Sequence, residues 1–575
     1  MPEQLDLKIT GGTLVDGSGA PSVRGDLGIK DGRIAQLGEV VDAARETLDA
    51  AGMVVAPGFV DIHTHYDAQA FWDPTLSPSS QFGVTTVFGG NCGFSIAPLS
   101  GKKDDADYLM RMLARVEGMP LESLRAGVPW DWTNFEGFLG KLDDKLAINS
   151  AFMVGHSALR RTVMGARAVG HRASDAEIEG MQRLLRASLA AGGMGFSSTI
   201  NNSHNDADGN PVPSRHASHA ELIALASVVS EYEGTTVEFL PLIGGAFPEE
   251  QLELMTNLSK AANRPVNWNV LTPDSRLPDM YRSQLGASDY AAARGARVVP
   301  LVSAQVNTVW VNFVSGFILD TYSGWDELMR LPLEGRMQAL ADPVRRRQLD
   351  ERARSSPGSR SLSTNWAQWT FSEIHSADIK RYQGRTVGDV AETLGKRPFD
   401  AMIDVVLADD LRTSLQMPAR GDDDATWKMR GEAWLDERTV IGASDAGAHL
   451  DMIDSFTACA KVLSEGVRER RLLTLEQAVR QLSSVPARLV GLRERGELRR
   501  GWNADVVVFD PRTVGCGPVH MRTDLPAGAG RLYADAVGVK HVIVNGREII
   551  RGNRFLGALA GRVLRSGRDS YTVTP

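Results

Sequence analysis

Between residues 57 and 484 one texture repeats along the chain: a short apolar run, a loop, then a long stretch with helical periodicity. Eight runs read as strands: "GFVDIHTH", "GVTTVFGGNC", "INSAFMVGHSALR", "GGMGFSST", "TTVEFLP", "RPVNWNVL", "ARVVPLVSA" and "RTVIGASDAGAH". Three intervening stretches open with a capping-box signal, Ser174 with Glu177, Ser218 with Glu221 and Thr474 with Gln477. Strands separated by helices pair in parallel through crossovers, not through hairpins. Eight such units in one domain predict a TIM-type (β/α)8 barrel, whose chemistry sits at the C-terminal ends of the strands.

The two chain ends have a different texture. From Leu5 to about Ala56 short strands alternate with Gly and Asp turns, and "KDGR" is a hairpin signal. The same style returns after Ser484, where Asn545-Gly546 marks another hairpin. Residues 1–56 and 485–575 are therefore expected to form two halves of one small β-sandwich around a barrel at 57–484. Residues 307–430 break the alternation with a long Trp-containing insertion that holds a Ser/Arg/Gly-rich piece, "RARSSPGSRSLST". An insertion of this size on the C-terminal face reads either as a lid over the site or as a purely structural excursion.

Composition excludes several classes. The 575 residues are 43% hydrophobic and 23% charged with a net charge of −8, and no basic block stands out beyond "VRRRQ" near Arg345. Nucleic acid and anionic membranes are thus poor partners. Cys92, Cys459 and Cys516 cannot build a disulfide framework and suit a reducing compartment. The opening "MPEQLDLKIT" has no signal-peptide pattern, and no stretch reaches the roughly 20 apolar residues that cross a bilayer. A soluble cytoplasmic protein with a small-molecule partner is expected, with homo-oligomerisation left open.

The expected strand ends carry chemistry. His63 and His65 stand two residues apart, so on a strand both rings point to one face. Cys92 ends the second strand, His156 the third, Glu238 lies in the fifth and Asp445 ends the eighth. A barrel gathers these ends. Two imidazoles and a carboxylate suit a zinc-like Lewis acid with an open position for water.

The stretches "PGFVDIHTHYD", "GVTTVFGGNCGFSIAP", "GHSALR" and "GASDAGAH", with "DGRIAQLG" and "GWNADVVVFD" at the two ends, resemble the amidohydrolase superfamily, specifically its N-acyl-D-amino-acid deacylase branch. The resemblance implies that His63 and His65 are metal ligands, Cys92 a thiolate ligand, and Asp445 both a ligand and the general base. It also exposes departures. Where the branch has histidines on strands five and six, this chain has Glu238 and Asn269, or Asn267 in a shifted register, and Val270 stands where a lysine meets the substrate carboxylate.

The implied site is one divalent metal, zinc, on His63, His65 and Asp445 with Cys92 or Glu238 as a further ligand. His156, Arg160, Asn269 and His449 are the expected substrate contacts. Arg215 is an alternative source of positive charge, and most of His204, His216 and His219 are expected to face solvent. The expected reaction is hydrolysis of a linear amide of N-acyl-D-amino-acid type, with a preference for bulkier or uncharged substrates. A cyclic-amide hydrolase of hydantoinase or dihydropyrimidinase type, and a catalytically silent binding barrel, are the alternatives.

Overall fold

The computed structural model describes residues 4–306, 308–315, 317–355 and 364–575, so residues 356–363 of the Ser/Arg/Gly-rich piece lie outside the described residues. Each of the eight apolar runs contains a strand, and all are parallel. Phe59–Asp61, Val84–Gly89 and Asn149–Phe152 pair in that order. Val154–Gly155 continues the third run and starts a six-stranded sheet with Gly195–Thr199, Thr236–Leu240, Val266–Leu271, Val298–Val302 and Val440–Ile441. A parallel bridge between Thr64 and Ala446 joins the continuation of the first strand to that of the last. Nearly every residue of these strands is buried, as parallel strands covered by helices on one side and packed side chains on the other must be. Val60, Ile62, Phe88, Ala151, Met194, Leu301 and Val440 form one apolar cluster between them.

Helix starts follow the local signals. Ser174 and Thr474 form full capping boxes with Glu177 and Gln477. Ser218 caps the helix His219–Val229 through the Glu221 amide, but the Glu221 side chain does not return to the cap. It turns into the core, where it meets Arg160.

The two chain ends share one nine-stranded sheet. The seam is Val506–Phe509 antiparallel to Val54–Pro57. Both expected hairpins form, and Asp31-Gly32 and Asn545-Gly546 have φ of 49°, 78°, 47° and 80°, the left-handed pairs that such tight turns require. The last residues leave that sheet again: Val563 bridges to Ser150 of the third parallel strand.

The insertion has a hydrophobic core of its own, running from Val311 to Met417 and centred on Trp325, Trp366, Trp369 and Phe399. Its three short strands, Trp310–Val311, Ser414–Gln416 and Thr370–Glu373, pair in that spatial order. It docks on the loop after the eighth strand, where the Trp310 amide donates to the Met452 carbonyl (2.8 Å) and Asn312 Nδ2 to Asp451 Oδ2 (2.6 Å). Among the described residues no helix is long and apolar enough to cross a membrane.

Candidate metal centre

Regular strand geometry stops at Asp61, two residues before His63, yet the chain stays tied to its neighbours. The Thr64 amide donates to the Phe88 carbonyl (3.0 Å) and the His65 amide to the Ala446 carbonyl (2.8 Å). The period of two therefore persists, and the His63 and His65 rings meet edge to face with centroids 5.5 Å apart. Asp445 Oδ1 lies 3.1 Å from His63 Nε2 and 3.5 Å from His65 Nε2. Cys92 Sγ is 3.5 Å from His63 Nε2, and one donor atom each from His63, His65 and Cys92 falls within 4.8 Å of the others. Asn269 Nδ2 sits 3.2 Å from the same imidazole nitrogen and 3.6 Å from the thiol.

Cys92 and Asp445 both have left-handed backbones, with φ of 54° and 49°. For a residue carrying a Cβ this costs on the order of 1 kcal/mol and persists only where the surroundings enforce it. At Cys92 the enforcement is visible: its amide donates to Glu238 Oε2 (2.8 Å) and the next amide, of Gly93, to Ser197 Oγ (3.1 Å). Glu238 thus stands behind Cys92, with Oε1 buried and without a hydrogen-bond partner. Beyond Asp445 the chain presses flat against the segment that carries His63 and His65, since a Cβ at Gly447 (φ 89°) would lie 2.8 Å from the His65 carbonyl. Residues 446–450 are not helical, and His449 takes φ 47°.

Burial sets the electrostatics. It drives the Cys92 thiol well above its usual range, and it pushes Glu238 up to about 8, with the Cys92 amide opposing. Burial would raise Asp445 as well, but hydrogen bonding to His63 and His65 holds it well below the usual carboxylate range. His65 is lowered by burial, yet Glu117 and Asp445 carry it up to about 9. Two buried imidazoles, a buried thiol and a partly exposed carboxylate, with His65 and Cys92 holding protons where a cation would sit, fit a divalent ion of zinc type, whose binding displaces those protons.

The expected substrate contacts divide into two groups. Asn269 lies at the cluster, and His449 stands beyond it, its Nε2 3.9 Å from Glu117 Oε2. His156 and Arg160 lie behind the Cys92 loop, fully buried with Glu221: His156 Nε2 is 3.0 Å from Glu221 Oε1, and Arg160 Nη1 donates to Glu221 Oε2 (2.6 Å). Arg215 is spent on its own loop, donating to the His204 carbonyl (3.0 Å) and to Asn205 Oδ1 (2.7 Å).

Those braces turn His204 inward, where its ring meets Phe94 at 4.9 Å between centroids, and burial, with His449 and His65 nearby, lowers it to about 3. His216 is also half-buried, so of the three loop histidines only His219 faces solvent. The expectation that most would do so fails because the loop folds back on itself. Glu117 was not foreseen either. It is buried at the end of the helix Lys103–Val116, with Oε1 3.5 Å from His65 Nδ1 and Oε2 3.9 Å from His449 Nε2. No periodicity or motif marks it.

Several known proteins are similar to this chain over nearly its whole length. The D-aminoacylase of Alcaligenes xylosoxydans xylosoxydans is 28% identical over 568 residues, covering 98% of either chain. The N-acyl-D-glutamate deacylase of the same organism is 30% identical over 566 residues, covering 95% of this chain and 94% of its own. The solved N-acyl-D-glutamate deacylase of Bordetella bronchiseptica, complexed with zinc and a phosphonate inhibitor that mimics the tetrahedral intermediate, superposes with a TM-score of 0.62 at 26% identity, covering 98% of this chain and 100% of that one. The profile described as the amidohydrolase family matches residues 46–550, a span that includes His63, His65, Cys92 and Asp445, and the chain belongs to the amidohydrolase family.

Proposed function

We propose that the protein hydrolyses a linear amide of N-acyl-D-amino-acid type at one divalent metal, zinc, held by His63, His65 and Asp445 with Cys92 as a further ligand and Glu238 braced behind it. The observation that carries this reading is the convergence of Asp445 Oδ1 on both imidazoles, at 3.1 and 3.5 Å. The eight parallel strands are taken to close into a (β/α)8 barrel, a reading supported by the Thr64–Ala446 bridge. The proposed domain division is a barrel at 57–484, a lid-like insertion at about 307–430, and one small β-sandwich from residues 1–56 and 485–575. Three free cysteines fit a cytoplasmic setting.

A bound zinc supplies Lewis acidity, lowering the pKa of water and polarising the amide carbonyl. The remaining chemistry belongs to the side chains. Asp445 is kept ionised between two imidazoles and is 28% exposed, whereas His63 and His65 are 0% and 3% exposed, so its carboxylate is the face that substrate and water reach. It accepts the proton of the attacking water and delivers it to the leaving nitrogen as the C–N bond breaks, giving a carboxylic acid and an amine. Asn269, whose Nδ2 lies 3.2 Å from His63 Nε2, is the proposed donor to the carbonyl oxygen as negative charge develops there. Geometry favours a supporting place for His156 and Arg160, since both are committed to Glu221.

The test is Asp445→Asn. Asn keeps the volume and tolerates φ 49°, so the fold should persist, while turnover of N-acyl substrates should fall by about 100-fold or more. Near-normal turnover would remove Asp445 from the reaction.

A further inference from the structure

His65 can offer Nε2 to a metal only if its proton sits on Nδ1, and a buried Nδ1–H needs an acceptor. The two ligand imidazoles differ here. His63 Nδ1 is buried with no hydrogen-bond partner, whereas His65 Nδ1 looks onto Glu117 Oε1 at 3.5 Å. The carboxylate that provides this acceptor is itself buried, at 2% exposure, on a helix end outside the strand-end set.

Its placement is enforced from a second side. The His449 amide donates to the Glu117 carbonyl, and a Cβ at Gly118 (φ 60°) would lie 3.3 Å from the His449 Cα. The loop that leaves Asp445 is thereby pressed against residues 117 and 118, with His449 Nε2 3.9 Å from Glu117 Oε2. One carboxylate therefore faces both the ring of a strand-one ligand and the loop that carries the strand-eight ligand.

We infer that Glu117 is the positioning residue of the metal centre, fixing the tautomer and tilt of His65 and the register of the Asp445 loop. The inference rests on the metal-centre reading above. Partners of this kind change metal affinity by about 10- to 100-fold when removed. The effect is separable from general packing, because the backbone clamp from His449 to the Glu117 carbonyl survives any substitution at 117.

The experiment compares wild type, His63→Ala, Glu117→Ala and Glu117→Gln after chelator stripping. Zinc affinity is read by competition with a chromophoric chelator, the visible spectrum is read on cobalt-loaded protein at saturation, and the melting of each metal-free protein is recorded. Wild type should bind about one zinc, and His63→Ala should not. Glu117→Ala should bind about 10- to 100-fold more weakly with a shifted cobalt spectrum, and Glu117→Gln, which keeps an acceptor without the charge, should lie between.

Should Glu117→Ala fold poorly, Glu117→Gln alone carries the comparison, since it preserves the volume. Wild-type affinity and an unchanged cobalt spectrum in both variants would overturn the positioning role while leaving the metal centre standing. Absence of zinc binding in wild type would overturn the metal centre, and the inference with it.

Discussion

Replacing Glu221 by Gln tests whether His156 and Arg160 support the centre or touch substrate. Arg160 is fully buried and Glu221 is 1% exposed, so the substitution leaves a guanidinium inside the protein without its anion. What remains for Arg160 is Nη2 donating to the His171 carbonyl (2.7 Å) and, at 3.4 Å, to that of Ala168. Removing one partner of a buried pair costs about 3–5 kcal/mol. A second route gives the same order. Burial alone would raise Glu221, but hydrogen bonding to His156 and the Arg160 cation bring it from 4.5 down to about 2, which corresponds to about 3 kcal/mol at neutral pH.

The sign follows from the direction of the shift. A depressed carboxylate contributes stability that is present above 4.5 and is lost as the pH falls towards 2. Urea unfolding followed by tryptophan fluorescence at pH 7 should therefore show Glu221→Gln destabilised by about 3 kcal/mol, with the difference shrinking steadily below pH 4.5. At temperatures where the variant is folded, KM should match wild type. A loss under about 1 kcal/mol, or a raised KM with full stability, would refute the structural reading and return His156 and Arg160 to the substrate.

Two other perturbations separate the parts of the molecule. Trp366→Ala removes a buried ring whose Nε1 donates to Asp350 Oδ1 (2.8 Å) and which meets Trp369 at 4.9 Å, so the insertion should lose about 3–5 kcal/mol and become protease-sensitive while the parallel strands keep their hydrogen-exchange protection. Uniform loss of protection throughout the chain would show that the insertion is not a unit. For the substrate, Val270 is uncharged and Arg215 is braced within its own loop, so kcat/KM should favour larger hydrophobic N-acyl compounds and carboxamides over N-acetyl-D-amino acids. Strong preference for the small N-acetyl acids would refute this, and turnover of hydantoins alone would move the protein to the cyclic-amide class.

The features legible in the sequence are those whose cause is local. The eight strands announce themselves as apolar runs between helix caps, and Asp31-Gly32 and Asn545-Gly546 as pairs tolerant of left-handed φ. His63 and His65 converge because a period of two survives past the end of regular strand. Glu117 was illegible because it lies at a helix end, 52 positions after His65 by their numbers, and only packing brings the two to 3.5 Å. His204 was misjudged because a polar loop gives no sign of which way its braces turn it.

Glu221 shows the competition most directly. With Ser218 it reads as a capping box, and Ser218 does cap the helix. The reciprocal bond from Glu221 back to the cap would add only about 1 kcal/mol. Leaving Arg160 unpaired in the interior would cost about 3–5 kcal/mol, so the carboxylate turns inward to Arg160 and the local motif is left half made.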